Sequence, residues 1–527
     1  MSSSNASSPI PVPLIRISNL TYTYEGSDKP AVRNINLALH QGEFTILGGP
    51  SGCGKSTLAR CLTGFIPHEY PGTFQGTITI RDQDTQALEI RELAQSASLI
   101  QQDPDSQLVT LNVTDEVAFG LENFQHSPAT IEPRIQWALR AANAENLRSR
   151  NTHTLSGGEK QKVIIASFIA LQSPILILDE PTARLDPHTT TEVLKTLQKL
   201  HNQGATILVI EHRIQPFLSS ASRVLLMNEG TITHDCSPTQ ISANPAPLND
   251  LGVYLQPSTY SETIQTKSKL EQETLRVQGL TFTYPRIEAP ISPRPTLENL
   301  SFSLHSGEII ALMGPNGSGK STLLLQLMAL LTPDAGTVHL NQQNIHDQPV
   351  SQLARQIGFI FQNPLHQIFA HTVKEEVLLA TKHLGLSESS EIKLRADQLM
   401  QSFGLLKYQD QSPYALSLGE QRRLTIASIL LHKPQVLLLD EPFIGQDYRN
   451  VQRLMDVIRS EAAQGTTVLL ATHDAAVAET YCSRLLFLFD GRLLIDAPVK
   501  QGLEHLTILY QTRVFNELGS LEVEAEE

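Results

Sequence analysis

The chain has 527 residues, of which 40% are hydrophobic and 18% charged, and its formal net charge is −14. This length is too great for one hydrophobic core, so two domains of about 200 to 250 residues are expected. The acidic balance argues against nucleic acid or anionic lipid as the main partner, because both need a basic surface. Four cysteines without paired spacing argue against disulfides and zinc, and they favour a reducing compartment.

The N-terminal segment is rich in serine and proline and contains neither a basic start nor an apolar run. We interpret residues 1–13 as a disordered lead-in and not as a secretory signal. The longest apolar stretches, such as 163–171, fall far short of the roughly 20 residues that span a bilayer. The sequence therefore predicts a cytoplasmic protein without a membrane-spanning segment.

An internal repeat divides the chain into two similar halves, and the interval between matching motifs is longer at some motifs than at others. An interval that drifts in this way indicates small loop insertions into a duplicated domain. One insertion is FIPHEYPGTFQG in the first half, and another is PRIEAPISPRP in the second. The repeated pairs are LTYTY and LTFTY, GPSGCGKST and GPNGSGKST, LSGGEKQ and LSLGEQR, and ILILDEP and VLLLDEP.

Short apolar runs bounded by turn residues lie in each half and are typical of fully buried parallel strands. Helical patterns separate these runs, so each half is predicted to be α/β with a mostly parallel sheet flanked by helices. The runs are FTILGG, PILILDE and ATILVIEH in the first half, and IIALMGP, QVLLLDE and TTVLLATH in the second. The predicted organisation is a disordered N-terminus (1–13), a first domain (14–235), a polar linker (236–274), a second domain (275–500) and a C-terminal extension with an acidic tail (501–527).

Both glycine-rich segments match G-x-x-x-x-G-K-[ST] directly after an apolar strand, which is the context of a phosphate-binding P-loop. Glycines let backbone N–H groups close around a β-phosphate, and the following helix presents its positive end. Lys55 and Lys320 would supply a cation between the β- and γ-phosphates of ATP, and Ser56 and Ser321 would ligate Mg²⁺. The other predicted loop residues are Gly49, Gly52, Gly54, Thr57, Gly314, Gly317, Gly319 and Thr322.

An Asp-Glu pair follows an apolar run in each half. Asp179 and Asp440 are placed to hold Mg²⁺ through water, and Glu180 and Glu441 to orient the attacking water. Such a pair alone would also fit an exposed strand end. In both halves, however, the pair lies at the same distance from the serine of the preceding LSxGE motif and at the same distance from a following histidine at a strand end. This duplicated spacing favours the catalytic interpretation.

The P-loop, LSxGE and DEP motifs, in this order, resemble those of the ABC ATPase family over roughly residues 14–235 and 274–500. The resemblance implies two tandem P-loop ABC-type nucleotide-binding domains, each with a helical subdomain that carries the LSxGE signature. Two such domains would close head to tail around two ATP molecules. It also implies that Tyr24 and Tyr284 stack on adenine, with an aromatic residue of a core strand as the alternative for each.

Further roles follow from the same resemblance. Gln102 and Gln362 would be Mg²⁺-linked glutamines that sense a membrane partner, and His212 and His473 would contact the γ-phosphate. Each site would be completed by the signature of the other half. The signature residues are Ser417 and Gly419 for the first site, and Ser156 and Gly158 for the second.

Some positions depart from the family pattern. Leu418 replaces the first glycine of LSGGE, and Arg184 and Gln446 lie in segments that usually read EPTAGLD. Because both catalytic glutamates remain, we expect two hydrolytic sites of unequal activity.

The segments after Gln102 and Gln362 resemble those of the energy-coupling factor (ECF) importer ATPases, which bring vitamins and metal ions into prokaryotic cells. This resemblance implies a transmembrane scaffold protein and a substrate-binding membrane subunit as partners, with the chain bound peripherally at the cytoplasmic face of the cell membrane. Gln107 and Gln367 would meet the scaffold, or else would be solvated helix starts. VIEHR, at 209–213, is also similar to fused two-domain members, some of them associated with uptake of thiamine precursors.

Three other interpretations stay open at this point. A translation factor of the same superfamily is also a tandem ATPase, but it typically has a longer, charged linker. The ATPase of a sugar importer usually has a degraded second P-loop, whereas GPNGSGKST is intact. A structural or regulatory ATP-binding module would not need both catalytic glutamates.

Overall fold

The computed structural model describes residues 13–511, except for 103, 184, 186, 254–271, 286–294 and 387–388. The chain divides into two compact units, Met1–Gln256 and Pro257–Glu527. The predicted disordered N-terminus, apart from its last residue, and the acidic tail lie outside the described residues. The predicted linker begins with two short helices, and its later part is also outside them. The predicted domain boundaries therefore stay predictions.

The strands of the first unit form one mostly parallel and one antiparallel sheet. In chain order they are β1 (Ile15–Tyr24), β2 (Val32–Leu39), β3 (Phe44–Gly48), β4 (Gly72–Ile80), β5 (Gln83–Asp84), β6 (Ala97–Ile100), β7 (Ile175–Asp179), β8 (Thr206–Ile210), β9 (Arg223–Asn228) and β10 (Thr231–Cys236). The larger sheet has the order β10-β9-β3-β8-β7-β6, and β10 is antiparallel to β9 while the other pairs are parallel. The smaller sheet has the order β2-β1-β4-β5.

Helices flank the sheets of the first unit. They are α1 (Lys55–Leu62), α2 (Phe65–His68), α3 (Ile90–Ser96), α4 (Val113–Asn123), α5 (Pro128–Ala141), α6 (Gly157–Ala170), α7 (Pro187–Asn202), α8 (Pro238–Ala243) and α9 (Ala246–Leu251). Helices α4 and α5 pack on α6, and their apolar faces join one side of the larger sheet in a single core. This is the helical subdomain that carries the LSxGE motif.

The second unit repeats the arrangement. Its strands are β11 (Glu273–Phe282), β12 (Leu297–His305), β13 (Ile309–Met313), β14 (Ala335–Leu340), β15 (Gln343–Asn344), β16 (Ile357–Ile360), β17 (Val436–Asp440), β18 (Thr467–Ala471), β19 (Arg484–Phe489) and β20 (Arg492–Pro498). Its sheets have the orders β16-β17-β18-β13-β19-β20 and β12-β11-β14-β15. Its helices are α10 (Lys320–Leu327), α11 (Val350–Leu353), α12 (Val373–His383), α13 (Ser390–Ser402), α14 (Leu418–Leu430), α15 (Tyr448–Ala463), α16 (Ala475–Tyr481) and α17 (Val499–Gln511).

The six apolar runs predicted to be buried strands are confirmed as β3, β7, β8, β13, β17 and β18. Strand β3 is buried along its whole length because helices cover one face of the sheet, and α1 with the antiparallel sheet covers the other. In the first unit β3 pairs with β8 and β8 with β7, all in parallel, with Ile46 opposite Val209. The carboxyl ends of these strands therefore meet at one edge, where parallel sheets usually bind ligands. Within the described part of the chain, no helix is both long enough and apolar enough to cross a bilayer.

Candidate active sites

The loop that links β3 to α1 needs glycine where it passes close to neighbouring backbone. Gly54 precedes α1 in a left-handed conformation, with φ of 105°. A Cβ atom there would collide with the carbonyl oxygen of Ala31, and one at Gly49 would collide with that of Met227. Only glycine permits this approach of loop and backbone. The loop between β13 and α10 repeats the geometry, with φ of 101° at Gly319.

The P-loop lysines are buried and bond within their own loops. Lys55 Nζ donates to the carbonyl oxygens of Gly49 at 2.9 Å and Pro50 at 2.8 Å. Lys320 Nζ donates to those of Gly314 at 2.7 Å and Pro315 at 3.0 Å. These bonds hold each ammonium group at the loop, beside the N-terminus of a helix, which is a favourable position for an anion.

The predicted Mg²⁺ residues lie together in each unit. The Ser56 hydroxyl hydrogen-bonds to the Asp179 carboxylate; burial, together with the charge of Glu180, raises the pKa of Asp179 to about 6. Burial likewise raises the pKa of Asp440, which hydrogen-bonds to Ser321, to about 6. Within the described residues, buried Oδ1 of Asp179 has no hydrogen-bond partner. A carboxylate oxygen without a partner beside a hydroxyl fits the oxygen ligands that Mg²⁺ prefers.

The next residue of the first unit, Glu180, is held by three bonds. Its N–H donates to the Ile210 carbonyl oxygen of the neighbouring strand at 2.9 Å. Gln102 Nε2 donates to one carboxylate oxygen at 2.6 Å, and His212 Nε2 lies 2.7 Å from the other. Burial by itself would raise the pKa of Glu180, but the charge and hydrogen bond of His212, with the charge of Lys55, hold that pKa below its ordinary value. The carboxylate is therefore kept ionised.

The second unit repeats the backbone bond and the histidine contact, but among its described residues no bond from the Gln362 side chain to Glu441 corresponds to that of Gln102. The Glu441 N–H donates to the Ala471 carbonyl oxygen at 3.1 Å, and His473 Nε2 lies 3.0 Å from Glu441 Oε1. Both glutamates have positive φ, 51° for Glu180 and 48° for Glu441. A residue other than glycine in this region stores strain, and such strain clusters at functional sites. The structure thus brings the Asp-Glu pair and the histidine together in each unit.

The two predicted adenine-stacking tyrosines lie at comparable places. The hydroxyls of Tyr24 and Thr57 are in hydrogen-bond contact at 3.2 Å, and those of Tyr284 and Thr322 at 3.4 Å. Tyr284 is 42% exposed. Neither tyrosine is thus a fully enclosed core aromatic, although a neighbouring strand residue, Tyr22, is.

The signature serines cap helices. Ser156 precedes α6, where the Glu159 N–H donates to its hydroxyl and its own N–H donates to the Glu159 carboxylate. Ser417 and Glu420 form the same capping box before α14. The serine and glutamate of LSxGE thus have a local role that the S-x-x-E spacing reveals. Gly158 and Gly419 follow in the first turns, both buried.

Several residues near the sites escaped the sequence reasoning. Glu211 is buried and accepts from both the N–H and the hydroxyl of Thr182. Burial first, and then the charge of Glu180, raises the pKa of Glu211 to about 7.

Gln107 and Gln367, for which two roles were open, direct their side chains to the backbone of their own unit. Each side-chain amide bonds to the backbone at the end of the preceding strand. Gln107 donates to the Leu99 carbonyl oxygen and accepts from the Gln101 N–H. Gln367 donates to the Phe359 carbonyl oxygen and accepts from the Phe361 N–H.

Taken together, each unit combines a P-loop, a buried carboxylate beside a serine hydroxyl, and an ionised or histidine-paired glutamate. This combination defines a P-loop nucleoside triphosphatase. The ABC transporter family profile matches residues 32–183 and 297–444. The chain belongs to the ABC transporter family, as an ATP-binding, ATP-hydrolysing protein with two ABC domains.

Comparison with known proteins gives relatives of nearly equal length. A provisionally named ABC transporter ATP-binding protein of Vibrio parahaemolyticus is 34% identical, over 95% of this chain and 92% of its own. YkoD of Bacillus subtilis, provisionally named an HMP/thiamine import ATP-binding protein, is 33% identical over 94% of each chain. The solved structure of cbiO1 from Clostridium perfringens, described as part of the ABC transporter complex cbiONQ, is 30% identical. It covers 46% of this chain and 96% of its own, with a TM-score of 0.41.

Proposed function

We propose that this chain is the ATPase subunit of an ECF-type importer for a vitamin or a metal ion. It would act at the cytoplasmic face of the cell membrane, on a transmembrane scaffold protein that also holds a substrate-binding subunit. Two observations support the importer type: the likeness of the segments after Gln102 and Gln362 to ECF ATPases, and the import role in the name of YkoD. That name also favours a thiamine precursor over other vitamins.

The observation that carries the proposal is an apolar surface held rigidly after each glutamine. Val109 is 66% exposed, and Phe369, at the same place in the second unit, is 72% exposed. The N–H of each donates to a buried carboxylate, Val109 to Glu116 at 3.0 Å and Phe369 to Glu376 at 2.9 Å. Exposed apolar side chains that recur at the same place in both units, on backbone held by a buried carboxylate, support a docking surface for a partner.

Within each site, different residues of the chain would bind the phosphates, orient the attacking water and accept its proton. The P-loop N–H groups and lysine bind the phosphates, and the glutamate orients water and accepts its proton. The histidine, 2.7 Å from Glu180 in the first unit, fixes that carboxylate and would face the γ-phosphate of a bound ATP. Mg²⁺, when bound, would neutralise charge on the phosphate oxygens. The residues proposed to hold it are Ser56, Gln102 and Asp179 in the first unit, and Ser321, Gln362 and Asp440 in the second.

We also propose that the units act as a pair, as the family resemblance implies. Ser417 and Gly419 would complete the first site, and Ser156 and Gly158 the second. Capped, positively polarised helix starts at these signatures would suit a γ-phosphate.

Affinity isolation of the intact complex from membranes, followed by mass spectrometry of subunits and bound ligand, tests the importer assignment. We expect the wild-type chain to bring down a scaffold and a small substrate-binding membrane protein. Phe369→Asp should abolish this recovery but leave ATP binding intact, because the side chain is exposed. Leu394→Asp, an exposed apolar position on α13, is the matched control and should retain the complex. Recovery of ribosomes in place of membrane proteins would refute the importer proposal.

A further inference from the structure

The first unit carries an aromatic and cationic cluster beside Tyr24, to which its loop insertion contributes a tyrosine. Lys55 matches Lys320 in the P-loops, and Ile80 matches Leu340 at the ends of β4 and β14. The stretch 55–80 is longer than the stretch 320–340, so the first unit has an insertion between α1 and the end of β4. The insertion includes Tyr70, which is 37% exposed.

Hydrogen bonds from the core fix this insertion. Tyr22 is fully buried, and its hydroxyl lies 3.0 Å from the carbonyl oxygens of both Tyr70 and Pro71. A Cβ atom at Gly72 would collide with the Thr23 carbonyl oxygen and crowd the Tyr22 ring. The backbone that carries Tyr70 is thus packed tightly on β1, next to Tyr24.

Arg60, in the last turn of α1, contacts both the half-buried Tyr24 and the exposed Tyr70. Its guanidinium carbon lies 4.8 Å from the centre of the Tyr70 ring, and its Nη1 donates to the Tyr24 hydroxyl at 3.2 Å. The Tyr24 ring meets the Tyr70 ring edge-on, with centroids 6.4 Å apart. The Tyr24 hydroxyl also contacts Thr57, so both its ring and its hydroxyl are held.

The second unit differs at the same place. Leu325 stands where the first unit has Arg60, when the two P-loops are aligned, and cannot donate to a tyrosine hydroxyl. Tyr284 is 42% exposed and, among the contacts of the described residues, its hydroxyl meets Thr322 at 3.4 Å. Its ring packs edge-on against Phe282, as Tyr24 does against Tyr22.

We infer that Arg60 and Tyr70 are positioning residues that strengthen the nucleotide-base contact of the first unit relative to the second. The inference rests on the proposed stacking of adenine on Tyr24. A ring already fixed by a cation and a neighbouring aromatic loses little rotamer freedom when a base stacks on it. The guanidinium also places positive charge at the edge of the aromatic surface that receives the base.

The test compares the binding of ATP, which carries the adenine base, with that of tripolyphosphate, which has no nucleobase. In the full chain carrying Lys320→Ala, which weakens binding at the second P-loop, the affinities of ATP and inorganic tripolyphosphate are measured by calorimetry. We expect Arg60→Leu, which installs the residue of the second unit, and Tyr70→Ala to weaken ATP binding about 3- to 10-fold. Tripolyphosphate affinity should stay unchanged, and Tyr70→Phe, which keeps the ring, should bind ATP within about twofold of its parent.

An equal loss of both ligands in Arg60→Leu would mean that the residue supports the P-loop and not the base contact, and would overturn the inference. So would unchanged ATP affinity in Tyr70→Ala. Tyr24→Ala separates the two levels of the argument. If that variant retains full ATP affinity, the stacking proposal itself is wrong; if it alone weakens ATP, stacking stands and the role of Arg60 and Tyr70 is refuted.

Discussion

At the scale of single residues, two glutamates at the edge of the first unit's larger sheet have pKa values shifted in opposite directions. Glu180 and Glu211 follow β7 and β8. Glu211 is buried, Glu180 is partly buried, and the charge of Glu180 helps to raise the pKa of Glu211. Glu180 gains an ion pair with His212, whereas Glu211 has two hydrogen bonds from Thr182 and no ion pair among the described contacts. Environment alone therefore gives two nearby glutamates opposite pKa shifts.

The raised pKa of Glu211 predicts a pH-dependent stability. Between its ordinary pKa of 4.5 and the folded value of about 7, the folded chain keeps a proton that the unfolded chain releases. The contribution of Glu211 to the free energy of unfolding therefore falls as pH rises through this range, and is lowest above pH 7. Glu211→Gln removes the titration, so its stability relative to wild type should rise between pH 5 and pH 8, by on the order of 3 kcal/mol.

Thermal unfolding of both proteins at the two pH values measures this difference. Glu122→Gln, at an exposed position on α4, is the control and should shift stability equally at both. An identical offset between Glu211→Gln and wild type at pH 5 and pH 8 would contradict the assignment.

At the scale of elements, two arginines brace the signature helix of the second unit. Arg422 is almost completely buried in α14 and donates to the carbonyl oxygens of Gln362 and Ile444. Arg423 donates to Gln446, whose amide donates in turn to the Gly419 carbonyl oxygen at 2.7 Å. Gln446, which the sequence marks as a departure from the family, thus supports the signature motif itself.

Replacing Arg422 should therefore cost stability. Arg422→Gln installs the residue that the first unit has, Gln161. It removes charge-assisted hydrogen bonds to two backbone carbonyl groups, of which that of Ile444 is buried. We expect a loss of about 3 kcal/mol, which lowers the unfolding temperature by several degrees. Gln161→Met is the matched control in α6; because Gln161 Nε2 has no partner within the described residues, it should change stability by less than about 1 kcal/mol. Calorimetry that finds equal effects would rule out a special role for Arg422.

At the scale of the whole molecule, the two ATP sites should differ in turnover. Leu418 stands at the first turn of α14 where α6 has Gly157, and a Cβ atom at Gly157 would meet nothing within 4 Å inside its own unit. Gly157→Leu should thus fold normally but crowd the γ-phosphate of the proposed second site. In the Glu180→Gln protein, where the second site alone hydrolyses ATP, it should lower turnover.

The reciprocal change completes that prediction. In the Glu441→Gln protein, Leu418→Gly should raise ATP turnover of the first site in the assembled transporter, if crowding limits it. The double variant Glu180→Gln with Glu441→Gln supplies the background, because loss of both general bases should reduce hydrolysis roughly 10²- to 10⁴-fold. Unchanged turnover on Leu418→Gly would show that the leucine points away from the nucleotide.

The sequence by itself determined the duplicated α/β fold, the six central strands and the residues of both P-loops, because these depend on local patterns. Apolar runs, glycines that must approach backbone, and S-x-x-E caps each act within a few residues. Tertiary structure alone decided which polar groups meet across distant segments. Strand order and helix packing bring together segments that lie far apart in the sequence. The contacts that result include those of Thr182 with Glu211, Arg422 with Gln362, and Arg60 with Tyr70. Burial, which sets the pKa of Glu211 and the value of each such contact, is likewise a property of the folded unit and not of the local sequence.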